Sequence, residues 1–207
     1  MGIQLLDQNT INKIAAGEVI ERPSSVVKEL VENAIDAGAT AVTVEAKEGG
    51  ISFIRVTDNG SGIKKDEIDI AFKRHATSKI KSIEDLLTVS SLGFRGEALA
   101  SIAAVSQIEL ITKTKDDITG TRYQSEGSEV ISVEDIGAPD GTTFIIRNLF
   151  FNTPVRRKFL KSAMTEAGYI NALMQYMALS HPEVSFRFIN NNQNKLCLLY
   201  TSDAADE

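Results

Sequence analysis

Apolar and polar positions divide the chain into helical and extended stretches that follow one another without a fixed repeat. Val26, Val27, Leu30, Val31, Ala34 and Ile35 recur at helical spacing behind Pro23 and ahead of Gly38. This predicts a helix over Ser24 to Ala37, with one apolar face that must bury against a sheet. A shorter helix is expected over Ile11 to Glu18, with Asn9 and Thr10 as candidate caps. Ala41 to Ala46 and Ile51 to Asp58 alternate as strands do, and Glu48, Gly49 and Gly50 between them predict a hairpin and hence antiparallel pairing. Lys64 to Arg74 reads as helical, Ser82 with Asp85 has the form of a capping box, and Gly96 to Val105 is a small-residue helix able to approach a sheet closely. Four strands are expected next, at Gln107 to Thr114, Gly120 to Glu126, Glu129 to Ile136 and Thr142 to Leu149. A loop, FFNTPVRR, then leads to a helix at Thr165 to Leu179 and a strand at Val184 to Asn190. Consecutive hairpin strands after two helical blocks predict a two-layer α/β arrangement rather than the βαβ alternation of a doubly wound sheet.

Composition narrows the setting. With 207 residues, 43% of them hydrophobic, the chain can bury one sizeable core. No stretch approaches the roughly 18 apolar residues of a membrane span, and Met1 to Asn9 lacks the layout of a secretory signal, so a cytoplasmic location and no membrane partner are expected. Cys197 is the single cysteine, which rules out an intrachain disulfide and a cysteine metal cluster. A net charge of -6 argues against a surface built throughout to neutralise phosphates. Local basic groups remain at Lys73, Arg74 and Arg156 to Lys158, a run that is more often a solvated face than a nucleic-acid contact.

Three segments carry candidate chemistry. Glu29, Asn33 and Asp36 share one helical stripe; Glu29 could polarise a water, and the Asn33 oxygen is a hard neutral donor suited to Mg²⁺. A solvated helix edge would show the same spacing. Asp58 ends a strand and enters Asn59-Gly60-Ser61-Gly62, which can turn sharply and let a flat ring approach the backbone. A carboxylate there could accept from the exocyclic amine of adenine, with Ile63 as apolar support, although a plain strand-ending turn also fits. Gly93 and Gly96 bracket Phe94 and Arg95 before a helix, a setting for phosphate, and Lys79 could add a charged contact or be a solvated lysine. His75 and His181 are not spaced as a zinc pair, so no metal beyond nucleotide-bound Mg²⁺ is assigned. Neither a P-loop nor a GxGxxG dinucleotide fingerprint is present, so any phosphate site is built differently.

In order along the chain, ELVENAIDAGA, DNGSGI, RHATSK, SLGFRGEALASI, GTT at Gly141 to Thr143 and LFFNTPVRRKFL closely resemble the amino-terminal ATPase domain of the MutL family of DNA mismatch-repair proteins. The nucleotide segments resemble more loosely the wider GHKL superfamily of gyrase B, heat-shock chaperone ATPases and histidine kinases. The resemblance covers nearly everything from Ile3 to Lys195. It implies a Bergerat-type GHKL sandwich, a mixed and largely antiparallel sheet with helices on one face, with ATP held between them under a lid. It further implies Glu29 as general base, Asn33 as Mg²⁺ ligand, and Asp58 as the adenine-reading carboxylate, helped by Gly62, Ile63 and Thr143. Thr77, Ser78 and Lys79, with Leu92, Gly93, Phe94, Arg95, Gly96, Glu97, Ala98 and Leu99, would surround the triphosphate.

The activity so implied is slow Mg²⁺-dependent ATP hydrolysis serving as a switch. ATP would order the lid and the segment from Met1 to about Ile20 and promote homodimerisation. The dimer would pass a signal from a MutS-like mismatch-recognition protein to later repair factors, with weak DNA contact mainly through parts not in this sequence. Residues 1–195 are expected to form the ATPase domain, ahead of a second domain that in the family supplies a lysine to the γ-phosphate, and residues 196–207 are expected to be a foreign or truncated tail. The alternatives are a nucleotide-gated interaction module with negligible turnover and, against the MutL-specific segments, a histidine-kinase catalytic domain.

Overall fold

The computed structural model describes residues 7–73 and 97–200. Its first helix, α1 (Gln8–Val19), starts a turn earlier than the caps Asn9 and Thr10 imply. Asp7 is the cap, and its carboxylate accepts from the Thr10 backbone N–H at 2.9 Å and from the Thr10 hydroxyl at 2.7 Å. The second helix, α2 (Pro23–Asp36), opens on proline and buries Val26, Val27, Leu30, Val31 and Ala34. It closes with Gly38 at φ +73°, which lets Gly38 N–H reach Ile35 O at 2.9 Å and Ala39 N–H reach Ala34 O at 3.0 Å.

Next come β1 (Ala41–Lys47), a 3-10 turn at Glu48–Gly50, β2 (Phe53–Asp58) and α3 (Lys65–Ala71). Beyond residue 96 the described chain forms α4 (Ala98–Ala104), β3 (Gln107–Lys113), β4 (Gly120–Glu126), β5 (Glu129–Ile136), β6 (Gly141–Arg147), α5 (Pro154–Phe159), α6 (Ala163–Ser180), β7 (Ser185–Asn190) and β8 (Gln193–Leu198). Two of these differ from expectation. Helix α5 occupies part of the segment expected as loop; Pro154 at its first position supplies the φ a helix start needs. Strand β8 was not expected, and its Leu196, Cys197 and Leu198, three residues past Lys195, pair with Phe188, Arg187 and Phe186. The Ser82–Asp85 capping box lies outside the described residues.

The strands form one eight-stranded sheet in the order β5-β4-β3-β6-β2-β1-β7-β8. Among the described strands, β1 and β7 run parallel and every other neighbouring pair is antiparallel. Register aligns the strands into rows whose side chains share a face. One row crosses six strands as Phe188, Val44, Val56, Phe144, Leu110 and Tyr123, all buried. Beside it runs Asn190, Ala46, Ile54, Ile146, Ile108 and Ser125. Helices α2, α4 and α6 close over this face, with Leu30, Ile102, Ile170 and Met174 inside the core. The expected α/β sandwich, largely antiparallel with helices on one face, is the fold observed. Among the described residues, no helix is long and apolar enough to cross a membrane.

The opposite face is polar. Glu109 on β3 is gripped by Arg122 Nε and Arg147 Nη1, each at 2.8 Å, and Glu45 pairs with Arg55. Burial pushes Glu109 up, but the Arg147 and Arg122 guanidinium groups outweigh it and hold the carboxyl below the ordinary glutamate value.

Candidate functional site

On the helix-covered face, the row next to Val44 and Val56 changes character halfway across. It begins as Phe186 and Val42 and continues as Asp58, Thr142, Thr112 and Thr121. Thr112, Thr142 and Thr121 are buried and Asp58 is half-buried. A polar row under helices, at the end of the sheet, is where a core would be filled with apolar side chains were packing its purpose.

Asp58 is held from two sides. Its Oδ1 accepts from Gly60 N–H at 2.8 Å, and the carboxylate also accepts from Thr142 N–H. Burial nevertheless dominates and raises its pKa above the ordinary aspartate value, because two backbone donors do not replace the water it has lost. An ionised carboxylate can only accept, so among the described residues this one remains short of donors.

The loop after Asp58 is pinned to the end of α2. Asn59 Oδ1 accepts from Thr40 N–H and Ala41 N–H, both at 2.9 Å, and Asn59 Nδ2 donates to Thr40 Oγ1 at 2.8 Å. Ser61 N–H donates to Ala37 O at 2.9 Å. Gly62 sits at φ +74°, and a Cβ there would collide with the Lys113 carbonyl, so the loop needs glycine on both counts. Ile63 then packs against the core, and its N–H donates to Thr112 Oγ1 at 2.9 Å.

Thr143 is not brought to this site. It stands opposite Thr57 on the polar face, and its hydroxyl bonds Thr57 Oγ1 at 3.1 Å. The residue on Asp58's face is Thr142, because side chains alternate along a strand and Phe144 and Ile146 face inward. That alternation was available in the sequence, and the resemblance to GTT alone could not choose between the two threonines. Asn59, Thr112 and Thr142 join the candidate site through these contacts and were not singled out by the sequence pattern.

On α2, Glu29 and Asn33 are half-buried and one turn apart. Lys28 Nζ lies 3.8 Å from Glu29 Oε1 and 2.8 Å from Glu32 Oε1. Burial acts to lower Lys28, but Glu32 and Glu29 beside it prevail and raise its pKa, so it stays an ammonium at neutral pH. Glu97 and Ala98, half-buried, lie at the start of α4, and Leu99 packs on the core. Thr77, Ser78, Lys79, Leu92, Gly93, Phe94, Arg95 and Gly96 lie outside the described residues, as does His75. Arg156 is half-buried and donates to Ile14 O at 3.1 Å, so one member of the basic run is used in binding α1, while Arg157 and Lys158 are exposed.

An open cleft of about 450 Å³ lies at the β4–β5 turn, lined among others by Glu126, Glu129, Val130 and Phe151. It sits at the other end of β4 from Thr121, and two carboxylates with apolar neighbours do not suit phosphates. The polar row, with Asp58 and its buried threonines, is the stronger candidate site.

Residues 20–142 match the family of histidine kinase-, DNA gyrase B- and HSP90-like ATPases. The chain is similar to the DNA mismatch repair protein MutL of Agathobacter rectalis, with 70% identity over 194 residues that make up 94% of this chain and 30% of that protein. It is similar also to MutL of Acidobacterium capsulatum, with 55% identity over 184 residues, 89% of this chain and 28% of that protein. The chain thus spans about 30% of the length of these curated relatives. Its fold is similar to that of the Aquifex aeolicus MutL ATPase domain complexed with ADP, with a TM-score of 0.72 and 36% identity, covering 89% of this chain and 66% of that one.

Proposed function

Because the chain belongs to the histidine kinase-, DNA gyrase B- and HSP90-like ATPase family, and within it to the amino-terminal ATPase domains of MutL proteins, we propose that it binds ATP between α2 and the polar row and hydrolyses it slowly as a switch in mismatch repair. The observation that carries this reading is Asp58: a half-buried carboxylate, short of donors, at the end of β2, in a loop tied to the helix that bears Glu29 and Asn33. The ADP held by the 36% identical Aquifex domain supports it.

The residues present fit the ligand. Asp58 and Thr142 would receive the adenine amine, Gly62 would let the ring lie on the loop backbone, and Ile63 would supply apolar surface. Asn33 offers a neutral oxygen suited to Mg²⁺, which when bound offsets the charge of the phosphates. Glu29 would take the proton of the water that attacks the γ-phosphate, and the pinned loop would hold the base while it does so. Lys79, Thr77, Ser78 and the stretch from Leu92 to Leu99 are proposed to enclose the triphosphate. Binding is proposed to order the segment from Met1 to about Ile20, to drive pairing of two copies, and so to relay a signal from a MutS-like partner, with DNA contacted mainly by other parts of the protein and the whole acting in the cytoplasm.

Titration with Mg-ATP by calorimetry, with phosphate release followed in the same samples, tests this. Glu29→Ala is expected to keep the wild-type Kd within about threefold while turnover falls about 100-fold or more. Asp58→Ala is expected to abolish binding. Undiminished turnover in Glu29→Ala would remove the assigned base, and full-strength binding without any phosphate release in wild type would favour a nucleotide-gated module over an ATPase.

A further inference from the structure

Thr112 has no place in the roles assigned so far, yet its hydroxyl is buried at the centre of the polar row with three polar neighbours. Ile63 N–H lies 2.9 Å from Thr112 Oγ1, Gly141 O lies 3.1 Å away, and Thr142 Oγ1 lies 3.1 Å away. A threonine hydroxyl has one proton and two lone pairs. A backbone N–H can only donate and a carbonyl can only accept, so two of the three contacts are fixed: Thr112 accepts from Ile63 and donates to Gly141. Its remaining lone pair can make the third contact only if Thr142 donates. The single assignment that satisfies all three therefore uses up the Thr142 proton and leaves the Thr142 oxygen able only to accept.

We infer that Thr112 is a specificity-determining positioning residue, which sets the Thr142 hydroxyl as an acceptor so that Asp58 and Thr142 present acceptors and no side-chain donor to position 6 of a purine. A 6-amino purine matches this edge with its two N–H groups. A 6-oxo purine brings an acceptor against acceptors, leaving buried polar groups unpaired. Thr112 also anchors Ile63, so the same hydroxyl holds the loop on which the ring rests. This inference rests on the nucleotide reading above and sharpens it to the choice of base.

The test measures Kd for Mg-ATP and Mg-ITP, which differ at position 6 and in the neighbouring N1 (an acceptor in ATP, a donor in ITP), in the full chain and in Thr112→Val and Thr112→Ser. Wild type is expected to prefer ATP. Thr112→Val, which keeps the shape and removes the hydroxyl, frees the Thr142 proton; the ATP-to-ITP preference is expected to shrink about tenfold, and Thr112→Ser is expected to restore it. Should Thr112→Val not fold, Thr112→Ala deletes the same hydroxyl and is held to the same expectation. A loss of affinity equal for both nucleotides, leaving the ratio unchanged, would overturn the inference and leave Thr112 a structural group. Equal binding of ATP and ITP by wild type would overturn it while leaving the nucleotide site standing. Binding of neither would overturn the proposed function itself, and this inference with it.

Discussion

Asp58 and Glu109 are carboxylates on opposite faces of one sheet, both withdrawn from water, and their acidities move in opposite directions. On the polar face, Glu109 is matched by Arg122 and Arg147 and falls below its ordinary value even though burial acts the other way. On the helix-covered face, Asp58 has two backbone N–H partners and, among the described residues, no ion pair, and burial lifts it. The contrast separates a charge matched by cations within the sheet from one that burial leaves under-compensated, the condition the proposed adenine contact would relieve. A carboxylate satisfied within its own sheet contributes to stability; one left short of donors costs stability until something binds.

The row between these two groups tests the frame on which the comparison stands. Leu110→Ala, in the middle of the fully buried row, is expected to cost about 2 to 5 kcal/mol in urea unfolding. A cost below about 1 kcal/mol would mean that the row is not the continuous core described.

Glu109→Gln should be smaller, about 1 kcal/mol, since both arginines are more than a third exposed and water can replace the lost partner. Its pH signature is specific. With the folded pKa below the unfolded one, the Glu109 contribution is present above the unfolded value and is lost as pH falls through the folded value. The gap between wild type and Glu109→Gln should therefore be constant near neutrality and close in acid. A gap that widened on acidification would place the shift in the wrong direction.

The smallest effect should have the opposite sign. With the Asp58 folded pKa above the unfolded one, the stabilisation of the protonated form is full below the unfolded value and is lost as pH rises through the folded value. Asp58→Asn is thus expected to raise the nucleotide-free melting temperature at neutral pH by up to about 2 °C while abolishing ATP binding. The gain should vanish in acid. A lower melting temperature at neutral pH would show that Asp58 is a structural carboxylate like Glu109.

Much of this frame is legible in the sequence, and the exceptions have physical causes. Strands β4 and β5 match their expected ends, and α2 shifts by one residue at each end, because alternation, helical spacing, Pro23 and Gly38 all mark the same boundaries. Strand β8 was missed because it lies at the edge, mostly exposed, where no buried face imposes alternation on Gln193 to Leu198. The loop assignment over α5 overlooked Thr153-Pro154, a helix start hidden in a polar segment. At the site, Asp58 and Gly62 announce themselves through a carboxylate-glycine pattern. Thr112 does not, because its importance lies in a hydrogen bond across 49 positions to Ile63, and single-sequence patterning carries no register.

The tie between the DNG loop and α2 makes the helix a measuring rod. Its zero mark is Ala37, where Ser61 attaches the loop that would hold the base. Counting back at about 1.5 Å per residue, Asn33 stands about 6 Å along the rod and Glu29 about 12 Å. A nucleotide anchored at Asp58 and laid along α2 would thus be metered against fixed graduations, so that the length of its phosphate chain, and not affinity alone, decides whether the last phosphate comes level with Glu29.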